Sequence, residues 1–309
     1  MAILFSDQSY RSTAIFDMLR KFMPDADLRC YPDIGNPADI DYAIIWYPAA
    51  GSLQNLPNLK AIFTTSAGVD GIIHDTTLPD NIPIIRNTDP GLARGVSEYT
   101  LYQILRFYRK QHVFDEQQQD RLWKQMRQPD PADYTIGIMG FGIIGQTCAN
   151  YLRPLGFPLR TWSQSRKQID GITSFAGNAE LEAFLSGTDI LVNILPLTEQ
   201  TENIMNADLF AALPQGASII NVGRGKHLVD DDLVHALDSG HIEAAALDVF
   251  RTEPLPEDHP FWTHPRITMT PHIASITRLD ITARNILQII HDHQNGKALP
   301  PSVNRQKQY

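Results

Sequence analysis

The stretch TIGIMGFGIIGQTCANYL (residues 135–152) has three glycines between a short apolar run and a longer segment rich in apolar residues. The run before the glycines is typical of a buried parallel strand, and the segment after them is typical of a helix. Gly140 would allow a tight turn, and Gly145 would let the helix pack closely against the strand. The pattern therefore predicts a strand–loop–helix unit of an α/β sheet.

The glycine loop also predicts a ligand. A helix N-terminus offers free N–H groups and the positive end of a dipole, which together attract phosphates. Gly142 would let a pyrophosphate approach the backbone, so the loop has the pattern of a dinucleotide site. The predicted contacts are Gly140, Gly142, Ile143, Ile144 and Gly145. The alternative is a glycine turn of an α/β fold that binds nothing.

The rest of the chain alternates short apolar runs with longer helical patterns. The strand candidates before the linker lie at 2–5, 41–47, 60–66 and 82–87. Those after it lie at 135–139, 159–162, 189–195, 217–222, 244–250 and 267–271. Strands that alternate with helices predict the α/β class, with two doubly wound parallel sheets. The length of 309 residues fits two domains, because a domain takes about 150 residues.

Two long helices and a linker complete this prediction. A helix is expected over 95–126, where apolar residues recur mostly at three- and four-residue steps. The two prolines of QPDPADY (128–134) predict a linker, and a final helix is expected over 277–295. Cys148 falls in the helix after the glycines and is predicted to be a core residue.

Charge and cysteine content limit the classes of function. The net charge is −9 and the pI is about 5.5, which speaks against binding to nucleic acid or to an anionic membrane, because both need a basic face. The two cysteines form neither a disulfide framework nor a metal-binding spacing. Without a signal-like N-terminus or an apolar run of about 18 residues, we expect a cytoplasmic protein that holds no metal.

The stretch LRTWSQSRK (159–167) lies where a glycine fingerprint usually has an acidic residue. A carboxylate there would hydrogen-bond a free ribose 2′-OH and repel a 2′-phosphate. Ser163 instead offers a hydrogen bond, and Arg166 and Lys167 offer positive charge that suits a phosphate. The loop therefore predicts NADP(H) in preference to NAD(H). A solvated basic loop is the alternative.

Three polar residues follow strand candidates of the second half: Arg224, Glu253 and His272. Ligands of open α/β sheets bind at the carboxyl ends of the strands, so these side chains could converge beside a nicotinamide. Taken singly, each has an ordinary alternative. The arginine could be a surface turn residue, the glutamate a cap or a salt-bridge partner, and the histidine a surface group.

Several stretches together indicate a family. GFGIIG (140–145), GASIINVGRGKHLVDDDLVHAL (216–237), LDVFRTEPLP (247–256) and HPRITMTPHIAS (264–275) resemble the D-isomer-specific 2-hydroxyacid dehydrogenases in order and spacing. The resemblance covers nearly the whole chain. WYPA (46–49), SAGVD (66–70), SFAG (174–177) and TPHIASITR (270–278) are similar to the bacterial glyoxylate and hydroxypyruvate reductases within that family.

The resemblance implies a reaction and its catalytic residues. The reaction is the NADPH-dependent reduction of a small 2-oxo acid, glyoxylate to glycolate or hydroxypyruvate to glycerate. Arg224 matches the arginine that binds the substrate carboxylate and carbonyl oxygen. His272 matches the general acid/base, and Glu253 matches its carboxylate partner. An NAD-dependent enzyme of the D-lactate dehydrogenase type and a non-catalytic, dinucleotide-responsive binding protein remain the alternatives.

Other residues are implied around the substrate and the cofactor. Trp46, at the end of a predicted strand, is a candidate wall of the substrate pocket, with core packing as its alternative. The resemblance assigns the backbone of SAGVD to the substrate carboxylate and Asp248 to the nicotinamide carboxamide. The substrate set is Trp46, Ala67, Gly68, Val69 and Arg224, and the cofactor set adds Pro196, Gly223 and Asp248 to the two loops above. Many family members have Ala at the position of Gly223.

The resemblance also implies an interrupted architecture. A flavodoxin-like substrate-binding domain would comprise residues 1–98 and 276–309, a Rossmann dinucleotide-binding domain would comprise 99–275, and a cleft would lie between the two Rossmann-like domains. A homodimer is expected. Trp123 could reach the cleft of the neighbouring subunit, and packing within its own chain is an equal alternative.

Overall fold

The computed structural model describes residues 1–9, 12–87 and 89–306. The chain divides into two compact units. The first unit takes the described residues of 1–92 and 277–309, and the second unit takes those of 93–276. Each unit is built on a parallel sheet, so the predicted α/β class with two parallel sheets is confirmed.

The first unit contains a five-stranded sheet. Its strands are β1 (Ala2–Ser6), β2 (Asp27–Cys30), β3 (Ile40–Ile45), β4 (Ala61–Thr64) and β5 (Ile84–Ile85). They pair in parallel in the order β2-β1-β3-β4-β5, which is the order of flavodoxin-like sheets. The carboxyl ends of all five strands therefore lie at one edge of this sheet, from which the loops after β3 and β4 leave.

The second unit contains a seven-stranded sheet. Its strands are β6 (Ile136–Met139), β7 (Leu159–Ser163), β8 (Thr173–Ala176), β9 (Ile190–Asn193), β10 (Ala217–Asn221), β11 (Ile242–Leu247) and β12 (Ile267–Met269). All pairs are parallel, in the order β12-β11-β10-β9-β6-β7-β8. The strand order reverses between β6 and β9. In open sheets of this kind ligands bind outside the carboxyl ends at such a switch point.

Eight α-helices lie in the described residues. They are α1 (Ser12–Phe22), α2 (Pro90–Tyr108), α3 (Gln111–Gln119), α4 (Ile143–Leu152), α5 (Leu181–Leu185), α6 (Ala207–Ala212), α7 (Asp230–Asp238) and α8 (Leu279–Gln294). None of them is both long and apolar enough to cross a membrane. The final helix, α8, returns to the first unit, where Ile286 and Leu19 of α1 belong to the same buried cluster.

Each sheet has buried apolar residues on both of its faces. In the first unit, Leu4 and Ile62 lie in one cluster, and Phe5 and Phe63 lie in the other. The second unit has two clusters of the same kind. Cys148 is buried in one of them, so its predicted place in the core is confirmed.

Two strands were not predicted from the sequence. β2 and β8 are short edge strands of their sheets. Each begins with an exposed residue and continues with partly buried ones. Because an edge strand has a neighbour on one side only, it does not need the continuous apolar run that identified the central strands.

The prediction of one helix over 95–126 is wrong in two respects. The segment folds as α2 and α3, and the backbone of Lys110 between them takes a left-handed conformation with φ of 55°. Lys110 forms an ion pair with Glu243, which lies in β11, and this tertiary contact accompanies the break. Residues 120–126 are not helical. Trp123 is 95% exposed there, so it packs on no apolar face of its own unit.

Candidate active site

The glycine loop leaves the carboxyl end of β6 and enters α4. Gly140 has φ of 99°, a left-handed conformation that favours glycine, and its N–H donates to the carbonyl of Trp162 at 2.8 Å. A Cβ on Gly145 would overlap the carbonyl oxygen of Gly140. These two glycines therefore allow the turn and the close approach of helix to strand that the sequence predicted.

The start of α4 is open to a ligand. Gly142 is the N-cap residue, and its side-chain position has no heavy atom of the described residues within 4 Å. No side chain caps the helix at this residue. Ile143 is exposed, whereas Ile144 is partly buried against the core. The free N–H groups of such a helix start suit a pyrophosphate.

The basic loop follows β7. Ser163 Oγ donates to the carbonyl of Ser165 at 2.9 Å, and the backbone N–H of Lys167 donates to Ser174 Oγ at 3.1 Å. Arg166 Nη1 donates to the carbonyl of Ser174 at 2.6 Å. The loop is therefore held against β8, which contains Ser174.

Glu180 is a partner of this loop that sequence reasoning missed. Its Oε1 forms an ion pair with Arg166 Nη2, and its Oε2 accepts from the backbone N–H of Ala176 at 2.7 Å. The carboxylate expected at the end of β7 is absent, but a carboxylate from beyond β8 reaches the same arginine. The signal in the sequence was weak, because Glu180 lies 14 residues after Arg166.

His272 and Glu253 are paired. Nδ1 of His272 lies 2.8 Å from Oε2 of Glu253. A carboxylate only accepts, so Nδ1 carries a proton and Nε2 is the nitrogen left to exchange a proton with a ligand. The histidine side chain is 46% exposed, and a ligand can therefore reach it.

The Glu253 carboxylate is held in its charged form. Its second oxygen, Oε1, accepts from the backbone N–H of Phe250 at 2.9 Å. Partial burial raises the pKa of Glu253, but the hydrogen bonds from His272 and Phe250 and the positive charge of Arg224 together hold that pKa below its ordinary value. A charged partner for the His272 ring is thus present, and the charge of Arg224 acts on the same carboxylate.

Asp248 anchors the loop that carries His272. This residue is 1% exposed. Its Oδ1 accepts from the Thr270 hydroxyl at 2.6 Å and from the N–H of Ile273 at 2.8 Å, and its Oδ2 accepts from the N–H of Ala274 at 2.9 Å. The sequence assigned Asp248 to the cofactor. In the structure its carboxylate instead contacts the hydroxyl of Thr270 before His272 and the backbone N–H groups of Ile273 and Ala274 after it.

Arg224 follows β10 by three residues and is partly buried. Its Nη1 donates to the carbonyl of Gly223 at 2.8 Å. Pro196 is exposed in the loop after β9, the neighbouring strand. The structure therefore brings Arg224, Glu253 and His272, with the glycine loop, the basic loop and Pro196, to the carboxyl edge of one sheet.

The predicted substrate residues of the first unit lie together at the carboxyl edge of its own sheet. Trp46 follows β3, and Ala67, Gly68 and Val69 follow the neighbouring strand β4. The Trp46 ring contacts the Tyr47 ring, with 5.0 Å between centroids. The Val69 side chain is buried in the core and its carbonyl accepts from Ile72 N–H at 3.0 Å, so its backbone N–H is the group that could face a ligand.

Three polar residues of the second unit were missed: Asn193, Asn221 and His227. All three are fully buried. Asn193 ends the apolar run DILVN, and Asn221 ends the apolar run ASIIN. An asparagine at the end of both runs was the signal available in the sequence. The described residues contain no group of three side chains able to hold a metal ion.

A family model describes the second unit. Residues 101–274 match the NAD binding domain of the D-isomer specific 2-hydroxyacid dehydrogenases. This match covers more than half of the chain. The chain belongs to the D-isomer specific 2-hydroxyacid dehydrogenase family, and the resemblance found in the sequence is confirmed.

Relatives that match along nearly the whole chain have names that specify an activity or a bound ligand. A glyoxylate/hydroxypyruvate reductase A of Serratia proteamaculans is 42% identical over 94% of this chain and 95% of its own. A probable 2-hydroxyacid dehydrogenase of Rhizobium etli, solved with NADP, HEPES and L(+)-tartaric acid, is 34% identical with a TM-score of 0.94, covering 100% of this chain and 99% of its own. An NADPH-dependent glyoxylate/hydroxypyruvate reductase of Sinorhizobium meliloti, solved with NADP and sulfate, is 32% identical with a TM-score of 0.90 and the same coverage.

Proposed function

We propose that this protein is an NADPH-dependent reductase of small 2-oxo acids, with glyoxylate and hydroxypyruvate as substrates. The observation that carries the proposal is the 2.8 Å pair of His272 and Glu253 at the carboxyl edge of a sheet whose switch point carries a glycine loop. The names of the Serratia and Sinorhizobium relatives support the choice of substrates.

Arg224, Glu253 and His272 each have a role in this reaction. When bound, NADPH supplies the hydride that reduces the carbonyl carbon. His272 protonates the carbonyl oxygen through Nε2, while the charged Glu253 stabilises the imidazolium before transfer. Arg224 holds the substrate carboxylate and stabilises the negative charge that develops on the carbonyl oxygen. The carbonyl gains one hydride and one proton, which yields the 2-hydroxy acid.

The cofactor preference rests on the two loops of the second unit. The open start of α4 fits a pyrophosphate, because Gly142 leaves the backbone uncovered. The loop after β7 offers Ser163, Arg166 and Lys167 to a 2′-phosphate. The solved relatives of Rhizobium etli and Sinorhizobium meliloti contain NADP, which supports NADP(H) over NAD(H).

We assign substrate binding to 1–98 with 276–309 and cofactor binding to 99–275. Trp46 and the backbone of Ala67, Gly68 and Val69 would contact the substrate from the first of these domains. Asp248, Pro196 and Gly223 would contact the cofactor. The experiment that tests the Trp46 role is Trp46→Phe, which should change the ratio of kcat/KM for glyoxylate and hydroxypyruvate more than the affinity for NADPH.

We also propose a cytoplasmic homodimer. The non-helical segment 120–126 exposes three large apolar side chains, those of Leu122, Trp123 and Met126. Large exposed apolar side chains so close together in the sequence favour coverage by a partner, and a second copy is the partner we propose. Sedimentation of the wild type and of Trp123→Ser tests this: the dimer should weaken in the variant, and a monomeric wild type would contradict it.

The loss of NADPH absorbance on adding a 2-oxo acid tests the reaction. The panel contains glyoxylate, hydroxypyruvate, pyruvate and phenylpyruvate, each with NADPH and with NADH. We expect the highest kcat/KM with NADPH and one of the first two acids. Preference for NADH and pyruvate would support a lactate-type dehydrogenase. Cofactor binding without turnover of any acid would support a binding protein.

A further inference from the structure

A buried polar network lies under the candidate active site. Asn193 and Asn221 end β9 and β10 and are directly opposite each other in the parallel register. Asn193 Nδ2 donates to Asn221 Oδ1 at 3.0 Å. Polar side chains buried this deeply need defined partners, and the network therefore fixes the geometry of what it touches.

His227 joins this network to two loops. Its Nδ1 lies 3.1 Å from the backbone N of Arg224 and 2.9 Å from Asn193 Nδ2. Its Nε2 lies 3.2 Å from the carbonyl oxygen of Pro196. One fully buried ring thus contacts the loop after β10, which carries the proposed substrate arginine, and the loop after β9, which we assign to the cofactor.

These partners fix the tautomer of His227. A backbone N–H and an amide NH₂ are donors, so Nδ1 must accept. A carbonyl oxygen only accepts, so Nε2 must carry the proton. The ring is therefore neutral, with its proton on Nε2. An imidazolium would place a donor against two donors and break the contact with the Arg224 backbone.

Gly223 lies next to Nδ1 of His227 and leaves little space there for a side chain. A Cβ added to Gly223 would lie 3.0 Å from His227 Nδ1 and 3.0 Å from Asn193 Nδ2. Such a contact is tight enough to require the neighbouring groups to move. Glycine at position 223 therefore leaves the room that the His227 ring and the Asn193 amide occupy.

We propose that His227 is a positioning residue of the active site. Its neutral ring ties the backbone of Arg224 to the backbone of Pro196, so that one side chain sets the place of the substrate arginine and of the neighbouring cofactor loop. Nε2 donates to the carbonyl oxygen of Pro196, and Nδ1 accepts from the backbone N–H of Arg224. The inference rests on the proposed function, because it names what each loop binds.

Two isosteric variants separate the two sides of the ring. In His227→Asn the amide oxygen can replace Nδ1 as the acceptor, and the donor to Pro196 is lost. In His227→Gln the amide NH₂ can replace Nε2 as the donor, and the acceptor for Arg224 is lost. His241→Asn and His241→Gln are matched controls, because His241 bonds Phe210 O at 2.8 Å and Gln215 Oε1 at 3.2 Å at the amino end of β11.

Two constants are measured for each variant: the Kd for NADPH, by fluorescence titration without substrate, and the KM for glyoxylate at saturating NADPH. Loss of one hydrogen bond to a backbone group is expected to shift the matching constant about fivefold. His227→Asn should raise the Kd for NADPH and leave the KM for glyoxylate within about twofold. His227→Gln should raise the KM for glyoxylate and leave the Kd for NADPH within about twofold. The His241 variants should change neither constant.

Other outcomes would overturn the inference. If both His227 variants shift the two constants by the same factor, the residue is only structural. If neither constant moves, the ring positions nothing. A wild type that binds NADPH and reduces no 2-oxo acid would refute the proposed function instead, and the Kd of His227→Asn would still test the Pro196 side.

A measurement on the wild type covers the case in which the variants do not fold. Nitrogen chemical shifts of ¹⁵N-histidine-labelled protein distinguish a protonated ring nitrogen from an accepting one. We expect one buried histidine with its proton on Nε2 and an accepting Nδ1, and its resonance should move when glyoxylate is added to the complex with NADP⁺, which has no hydride to transfer. A proton on Nδ1, or a resonance that ignores the ligand, would contradict the inference.

Discussion

The backbone N–H of His272 donates to the carbonyl oxygen of Asp248 at 2.8 Å, and His272 has φ of 55°. A left-handed conformation is unfavourable for a residue with a Cβ and persists where the surroundings fix it. The Asp248 carboxylate provides that fixation, because it also binds the N–H groups of Ile273 and Ala274. Asp248 thus connects a buried strand end to the orientation of the acid/base ring.

Asp248→Asn should therefore impair turnover through His272. An amide nitrogen in place of one carboxylate oxygen would face a backbone N–H, and one buried donor would lose its acceptor. We expect kcat with glyoxylate to fall about tenfold or more, on the scale of about 1.4 kcal/mol for each factor of ten. Exposed Asp231 in α7 gives the control Asp231→Asn. An unchanged kcat in Asp248→Asn would mean that the anchor does not orient the ring.

Glu253→Gln tests the charge beside His272. The pKa of Glu253 lies below its ordinary value of 4.5 in the folded chain. A lowered pKa means that the carboxylate stabilises the fold above the unfolded pKa, and that this contribution is lost as pH falls through the folded pKa. The wild type should therefore have a higher Tm than Glu253→Gln, and this difference should be largest near neutral pH and shrink below about pH 4.5. A difference independent of pH would show that charge is not involved.

Arg166 and Lys167 are expected to select the cofactor. Replacing both with Gln should raise the KM for NADPH about tenfold and leave the KM for NADH nearly unchanged, because only NADPH carries a 2′-phosphate. Both side chains are exposed, so the effect should decrease at high salt. Arg153→Gln is the control. Equal losses for both cofactors would mean that the loop is basic without being selective.

Glu180→Gln should act in the opposite direction. Glu180 forms an ion pair with Arg166, so a 2′-phosphate at Arg166 must share or displace that carboxylate. Removing its charge should lower the Kd for NADPH a few-fold and affect NADH less. The pair is partly exposed, which limits the gain to that of a screened ion pair, about 1 kcal/mol or less. A weaker NADPH complex would indicate that Glu180 holds Arg166 in place for the phosphate.

The sequence was sufficient for features that depend on local patterns. Central strands are apolar runs because both of their faces are buried, and this placed Arg224, Glu253 and His272 at strand ends. The glycine loop was readable because its close approaches exclude any side chain, as at Gly145. The family resemblance supplied the roles.

The features that were missed depend on partners distant in the sequence. The break at Lys110 accompanies its ion pair with Glu243, 133 residues away. Glu180 became relevant only when β8 placed it beside Arg166. His227 had no signal of its own, because the groups that define it come from the ends of two strands and from Pro196, 31 residues away.

The central claim is that His272 protonates a 2-oxo acid reduced by NADPH. The most direct measurement compares the wild type and His272→Ala in NADPH oxidation with glyoxylate, together with NADPH binding by each protein. We predict that kcat falls by about 10²- to 10⁴-fold in the variant, while the Kd for NADPH stays within about twofold because His272 acts on the substrate. Near-normal turnover by His272→Ala would contradict the account.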